Sequence, residues 1–328
     1  MDLRTKYMGL ELDSPIVVSA CPLSEKIENI VRMENSGAGA VVLFSLFEEQ
    51  IKQEIANFNS MLDATSNTFP EALNYFPDLD EYRVGTEQYL ELIRQAKEIV
   101  DIPIIGSLNG VTSQGWIDYA KQMESAGADG IEINVFYIPA DIQLTSSEVE
   151  QKYIDIVKRV KENVTIPVAV KLSPYFSAMA NMAKRLEEAG ADSLVLFNRF
   201  YQPDFNIHNL KVISNLEYSS ANEIRLPLLW ISVLYGKINA SLAATTGVKT
   251  AHEVVKYLLA GADVTMTASS LFENGIEHIG RMTEGLKEWM HMLQFNSIED
   301  FKGILSQQNV ADPSAFERAN YIKILESV

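Results

Sequence analysis

Apolar positions in this chain come in short β-branched runs. Each run follows an amphipathic stretch, and the step between the two is nearly the same four times. SGAGAVVLFS, AGADGIEINV, AGADSLVLFN and AGADVTMTAS begin near Ser36, Ala126, Ala189 and Ala260. Before each, apolar residues recur at helical spacing and stop at a Gly; after each, a run suited to a buried strand begins. That is the αβ half of a βαβ unit, repeated. DIPIIGSLN at Asp101 and TIPVAVKLS at Thr165 fill two gaps as strands entered through a Pro, and SPIVVSAC at Ser14 and SLAATTGV at Ser241 complete the set. The pattern predicts strands over 14–20, 39–46, 102–108, 129–135, 166–172, 192–198, 240–246 and 262–268. Strands alternating with helices over this length predict an α/β fold, a (β/α)8 TIM barrel of about 250 residues with long βα loops.

A helical stretch, FENGIEHIGRMTEGLKEWMHMLQ, follows the last strand. The barrel is expected over about 10–294 and a helical C-terminal extension over about 295–328. No Ser/Gly-rich or Pro-rich linker interrupts the repeat, so residues 1–328 are read as one domain. Three connections exceed the usual two to six residues: Phe47–Val84 after strand two, FYIPADIQLTSSEVE after strand four, and NRFYQPDFNIHNLKVISNLEYSSANEIR after strand six. All three leave C-terminal strand ends, where barrel enzymes build pockets and lids.

Bulk properties narrow the partners. A net charge of −17 and a pI near 4.7 argue against nucleic acid and against an anionic membrane surface. No run of 18 apolar residues exists and the first residues carry no signal-peptide core, so a cytoplasmic protein is expected. The single Cys21 excludes intramolecular disulfides and thiolate clusters, and the four histidines show no ligand spacing. No metal is expected.

The chemistry should sit at the strand ends, read in order. Strand one ends in the small Ser19-Ala20-Cys21, strand two in Phe44-Ser45, strand three in Ser107-Leu108-Asn109, strand four in Asn134, and strand six in Asn198-Arg199. Strand five ends in Lys171, which closes the apolar run PVAVKLS. A buried ammonium needs an anionic or strongly polar partner. Lys171 can form a Schiff base with a carbonyl substrate, bind an electron-rich cofactor edge, or make a structural salt bridge. Gly247 after strand seven and Ala268-Ser269 after strand eight occupy the loops that commonly hold a phosphate in such barrels. A phosphate site, a lysine and two strand-end asparagines suit a phosphorylated planar cofactor.

Over about Leu10–Gln294 the chain resembles the dihydroorotate dehydrogenase family of FMN-binding barrels, especially its soluble class 1 branch. VAVKLSPYF is similar to the family's V-K-[LM]-x-P-Y-[FY] segment. IEINVFYIP aligns with E-[LI]-N-[LIF]-S-C-P-N, and ATTGV and TASSL resemble the family's phosphate-binding G-T-G-G-I and I-G-T-A-L. The resemblance implies FMN as cofactor, with Lys171 at the pyrimidine edge of the flavin. It implies cofactor contacts at Ala20, Ser45, Ser107, Asn134, Asn198, Gly247, Ala268 and Ser269, and substrate contacts at Asn109, Asn134 and Asn198. It also implies hydride transfer between dihydroorotate and orotate in pyrimidine biosynthesis, a homo-oligomer (a dimer), and work shared with a redox partner protein.

The departures fall on the substrate side. Tyr137 stands where the family carries its catalytic Cys or Ser, and it can act as a proton donor or pack as an aromatic lid. Phe44-Ser45 replaces the lysine-serine pair after strand two. PDLDEYR at Pro77–Arg83 lacks the orotate-binding asparagines of the aligned family loop. The sequence therefore predicts an FMN oxidoreductase with catalytic candidates Lys171 and Tyr137 that turns over dihydroorotate poorly. Its rivals are a flavin ene-reductase on another small polar substrate, a Schiff-base lyase using Lys171, and a non-catalytic flavoprotein or electron-transfer subunit.

Overall fold

The computed structural model describes residues 1–48, 86–110, 113–199, 203–213, 216–317 and 319–326. A short hairpin, β1 (Thr5–Tyr7) and β2 (Leu10–Leu12), precedes the first barrel strand, β3 (Ile16–Val18). Strands and helices then alternate: α1 (Ile27–Asn35), β4 (Ala40–Phe47), α2 (Thr86–Ile99), β5 (Ile104–Asn109), α3 (Ser113–Ser125), β6 (Gly130–Asn134), α4 (Ser146–Lys161), β7 (Val168–Leu172), α5 (Met179–Glu188) and β8 (Ser193–Leu196). A second hairpin, β9 (Asp204–Asn206) and β10 (Lys211–Ile213), interrupts the alternation. It resumes with α6 (Arg225–Leu234), β11 (Ser241–Ala244), α7 (Ala251–Ala260), β12 (Val264–Thr267), α8 (Ser269–Asn274) and α9 (His278–Met292). The eight barrel strands are parallel, and β8 pairs with β11 while β12 pairs with β3, closing the sheet. The predicted (β/α)8 barrel is therefore the fold, each strand lying within its expected segment or one residue past it. The C-terminal region is helical in short pieces, with 3-10 turns at Ile298–Asp300 and Pro313–Phe316 and the helix α10 (Ala319–Glu326).

The repeated phrase has a structural cause. Its glycines, Gly37, Gly127, Gly190 and Gly261, all take φ between 91° and 111°, the left-handed turn that ends a helix without steric cost. The Asp that follows in three copies serves the adjoining strand. Asp129, Asp192 and Asp263 accept the N–H groups of Ile104, Val168 and Leu242 at 2.7–2.8 Å. Each also pairs with a lysine: Lys97, Lys161 or Lys302. Glutamates three residues before the turn glycines make a second repeat. Glu34, Glu124 and Glu187 each accept a pair of N–H groups, at residues 101–102, 165–166 and 239–240.

Strand alternation divides the core in two. Outward residues such as Ile16, Val18, Val41, Ile131 and Leu194 pack under the helices. Inward residues Val17, Ala40, Val42, Ile105, Ala169, Val195, Ala243, Val264 and Met266 fill the lumen, and Tyr7, Met8 and Leu12 of the N-terminal hairpin join them. The hairpin thus plugs the N-terminal end of the barrel, held by Thr5 Oγ1 on the Asp263 carbonyl and by Met8 N–H on Ser241 Oγ. Full burial of side chains this large contributes about 1.5–3 kcal/mol each. No described helix is long and apolar enough to cross a membrane.

In the first copy of the phrase Gly39 replaces the Asp, and a Cβ there would lie 2.0 Å from the Ser14 carbonyl oxygen. Gly39→Ala must therefore move backbone, and a loss of about 3 kcal/mol or more is expected in urea unfolding. Gly9→Ala is the control. Gly9 has φ 84° with open space around it, so strain alone costs about 1–2 kcal/mol. Equal losses at the two positions would contradict the clash at Ser14.

Candidate functional site

At the C-terminal mouth of the barrel the inward positions turn polar. A cavity of about 360 Å³ opens there, within the roughly 300–1,000 Å³ usual for small-molecule sites. Ala20, Ser45, Asn134, Lys171, Asn198, Gly247, Ala268 and Ser269 all line it, together with Ser19 and Cys21. Thus strand ends far apart in sequence meet around one space.

Lys171 lies at the bottom of that space. Its side chain is buried, and Nζ donates to Ser19 Oγ and to Glu132 Oε1, both at 3.2 Å. Glu132 is fully buried in the lumen one layer below Asn134 and Lys171, which are partners across β6 and β7. Lys171 is therefore a salt-bridged residue and a cavity-lining residue at once. Asn198 Nδ2 donates to Asn134 Oδ1 at 2.6 Å. That bond leaves the Asn134 amide N–H groups and the Asn198 carbonyl oxygen for a ligand, one donor beside one acceptor.

The β11 and β12 ends form a cradle of donors. Gly247 N–H donates to Ser219 Oγ at 3.3 Å, and Ser219 Oγ lies 2.8 Å from Ser269 Oγ. A Cβ on Gly247 would meet Ile224 Cγ2 at 2.7 Å and the Ser220 carbonyl at 2.8 Å. Thr246, just before it, has φ 77°, a strained conformation for a β-branched residue that costs on the order of 1–3 kcal/mol. Its carbonyl accepts from Tyr257 Oη at 2.9 Å and its hydroxyl donates to the Phe197 carbonyl at 3.2 Å. Such strain, held by specific bonds beside a cavity, is typical of a ligand clamp. Neutral backbone and hydroxyl groups gathered along one wall of the cavity suit a phosphate monoester.

The strand-six insertion supplies one wall of the cavity. Tyr218 stacks on Phe272 with centroids 5.7 Å apart, and Arg199 pairs with Glu223 at 3.1 Å and donates to the Glu217 carbonyl. Ser219, Tyr218, Thr246 and Glu132 were not marked as site residues by the sequence. The Glu of IEIN was a readable signal, being a carboxylate at an inward strand position; Ser219 sits in a loop whose path no periodicity fixes.

Three predicted residues are placed outside the cavity lining. Ser107 points inward but its hydroxyl bonds Ser45 Oγ at 2.8 Å. Asn109 is buried at the end of β5. Tyr137, the catalytic candidate, turns outward: its half-buried ring packs against the core beneath the helices, with Lys152 Nζ 4.0 Å above it. The physical reason is that Tyr137 lies three residues past the end of β6, where strand alternation no longer sets direction. Phe44, in place of a family lysine, packs edge-on against Tyr89 at 4.9 Å. Cys21 reaches the cavity, but burial pushes its thiol up to about 11, the state of a packing residue rather than a nucleophile. The Pro77–Arg83 segment lies outside the described residues. Among the described residues no group of three or more His, Cys, Asp or Glu could hold a metal ion.

Comparison with known proteins agrees with this geometry. A family model described as dihydroorotate dehydrogenase matches residues 79–290. The catalytic subunit of dihydroorotate dehydrogenase B (NAD(+)) from Thermoplasma acidophilum is 24% identical over 320 residues, covering 92% of this chain and 98% of that protein. The protein of the same name from Methanocaldococcus jannaschii is 25% identical over 282 residues, covering 84% and 89%. The NAD-dependent dihydropyrimidine dehydrogenase subunit PreA of Escherichia coli (strain K12) is 24% identical over 340 residues, covering 97% and 80%. With more than half of its length inside the family model, and a closed parallel barrel that gathers the strand-end residues around one cavity, the chain belongs to the dihydroorotate dehydrogenase family of flavin-dependent oxidoreductases.

Proposed function

We propose that the chain binds FMN noncovalently at the barrel mouth and oxidises or reduces a CH–CH bond in a small, uncharged ring bearing an amide edge. The observation that carries this reading is the joint presence, around one cavity, of Lys171, the Asn134–Asn198 pair and the Gly247–Ser219–Ser269 cradle. FMN, when bound, supplies the hydride chemistry at N5. The chain supplies binding, orientation and charge. Gly247 N–H with the hydroxyls of Ser219 and Ser269 would hold the phosphate. The small Ser19 and Ala20 leave room for a flat ring system, and Lys171 would face its electron-rich edge. The salt bridge to Glu132 already occupies Lys171 Nζ, which supports an electrostatic role over a Schiff base.

The remaining donor and acceptor of the asparagine pair match the N–H and C=O of a cyclic amide. Dihydroorotate carries a carboxylate as well. Among the described cavity-lining residues the cations are Lys171 and Arg199, already paired with Glu132 and Glu223. An uncompensated buried anion costs about 3–5 kcal/mol, on the order of a hundred- to several-thousand-fold in affinity. A neutral dihydropyrimidine ring is the better fit. Electron exchange with a partner protein belongs to the same proposal. It is supported by relatives named as subunits and by a single cysteine, too few for an iron–sulfur centre in this chain.

Two outcomes follow. Gly247→Val should purify as a folded barrel by circular dichroism but without visible flavin absorbance. Full flavin in that variant would put the phosphate elsewhere. In anaerobic stopped-flow mixing, 5,6-dihydrouracil should bleach the bound flavin of the wild type much faster than dihydroorotate does, and Tyr137→Phe should leave both rates unchanged. Fast bleaching by dihydroorotate that is lost in Tyr137→Phe would overturn the neutral-ring reading and make Tyr137 the proton-transfer group.

A further inference from the structure

Glu132 carries a carboxylate at a fully buried position inside the barrel. Its carboxylate lies in the lumen with a side-chain exposure of 1%. The surrounding lumen is built from Val42, Ile105, Ala169, Val195 and Met266, with a few serine hydroxyls. One oxygen, Oε1, accepts from Lys171 Nζ. The other, Oε2, has no partner, and neither has the phenol of Tyr7, which enters the lumen from the plug below. Burial, and after it the charge of Glu132, pushes the Tyr7 phenol up, so Tyr7 stays neutral beneath the carboxylate.

A half-satisfied carboxylate in such surroundings is a net cost to the fold. A glutamine fills the same volume and can still accept the hydrogen bond from Lys171. The negative charge, rather than the shape, is what this position adds. Its direct neighbour is an ammonium that lines the cavity. At 3.2 Å in a poorly screened lumen the two charges act on the mouth as a near-neutral pair. We infer that Glu132 is a positioning residue that fixes Lys171 in the lumen and damps its charge, and so sets the redox potential of FMN held above it. This inference rests on the reading of the mouth as an FMN site.

Without the Glu132 charge, Lys171 acts on the cofactor at full strength. Reduction adds negative charge to the flavin, so the reduced form gains affinity over the oxidised form. The test is the two-electron midpoint potential of the FMN-loaded protein, measured by equilibrium dye titration for wild type and Glu132→Gln. A rise of at least 30 mV is expected, equal to a tenfold gain in relative affinity for reduced FMN. An unchanged or lowered potential with FMN fully bound would overturn the inference and leave the pair a structural tie.

The double variant Lys171→Met with Glu132→Gln removes the uncompensated ammonium and guards against misfolding of the single change. Because the two opposite charges add, Lys171→Met alone should lower the potential, and adding Glu132→Gln should return it towards the wild-type value. A double variant that stays at the Lys171→Met potential would show that the Glu132 charge does not reach the flavin, and would equally overturn the inference. Failure of the FMN reading looks different: wild-type protein incubated with FMN and desalted would retain none, and no potential could be measured.

Discussion

Closure of the sheet is the constraint on which everything else depends. Once β8 pairs with β11 and β12 with β3, every barrel strand has one face toward the helices and one toward a lumen that must be filled. The lower lumen is filled by small and β-branched side chains and by the Tyr7–Met8–Leu12 plug. The upper lumen is not sealed in this way. Alternation brings Asn134 and Lys171 inward side by side, a register shift after Val42 brings Ser45 in beside Ser107 one layer lower, and the space at Ser45, Asn134 and Lys171 is the cavity. The position of the polar groups is thus a consequence of strand register, and a slip of one residue would turn Lys171 and Asn134 out beneath the helices.

Around that scaffold the chain divides its polar burial into two kinds. On the outside, the Asp and Glu residues of the repeat meet backbone N–H groups and lysines, so they stitch neighbouring βα units at the strand entries. These contacts are well satisfied and structural. Inside, Glu132 is left with an unpartnered oxygen, and Thr246 is held in a left-handed conformation. Departures from local preference gathered at one end of a barrel mark the place where stability gives way to chemistry.

Much of this was legible in the sequence because it follows from periodicity. The Gly-Ala steps located four strands, and the Pro-entered segments two more. Reading strand ends in order found Lys171, Asn134 and Asn198, since these residues sit on strands or within two residues of one. What escaped is what periodicity does not govern. The N-terminal hairpin reads as three-residue strands, too short to show a pattern. The β9–β10 hairpin lay inside a segment read as a loop, with its apolar Phe205, Ile207 and Val212 left exposed. Ser219 reaches the cradle from that same insertion. Tyr137 was placed by alignment at a catalytic position, but its direction is set by the packing of Lys152 and the outer core. Glu132 was visible as a letter, while its meaning required the knowledge that its strand faces a closed lumen.

Calorimetric titration of flavin-free protein can decide whether the mouth is built for a flavin carrying a phosphate. FMN and riboflavin share the ring system and differ in the phosphate that the cradle of Gly247, Ser219 and Ser269 would hold. Both should bind saturably, with FMN at least tenfold tighter, about 1.4 kcal/mol or more, and with the difference lost in Gly247→Val. Equal affinity for FMN and riboflavin, or no binding of either, would contradict that reading of the mouth.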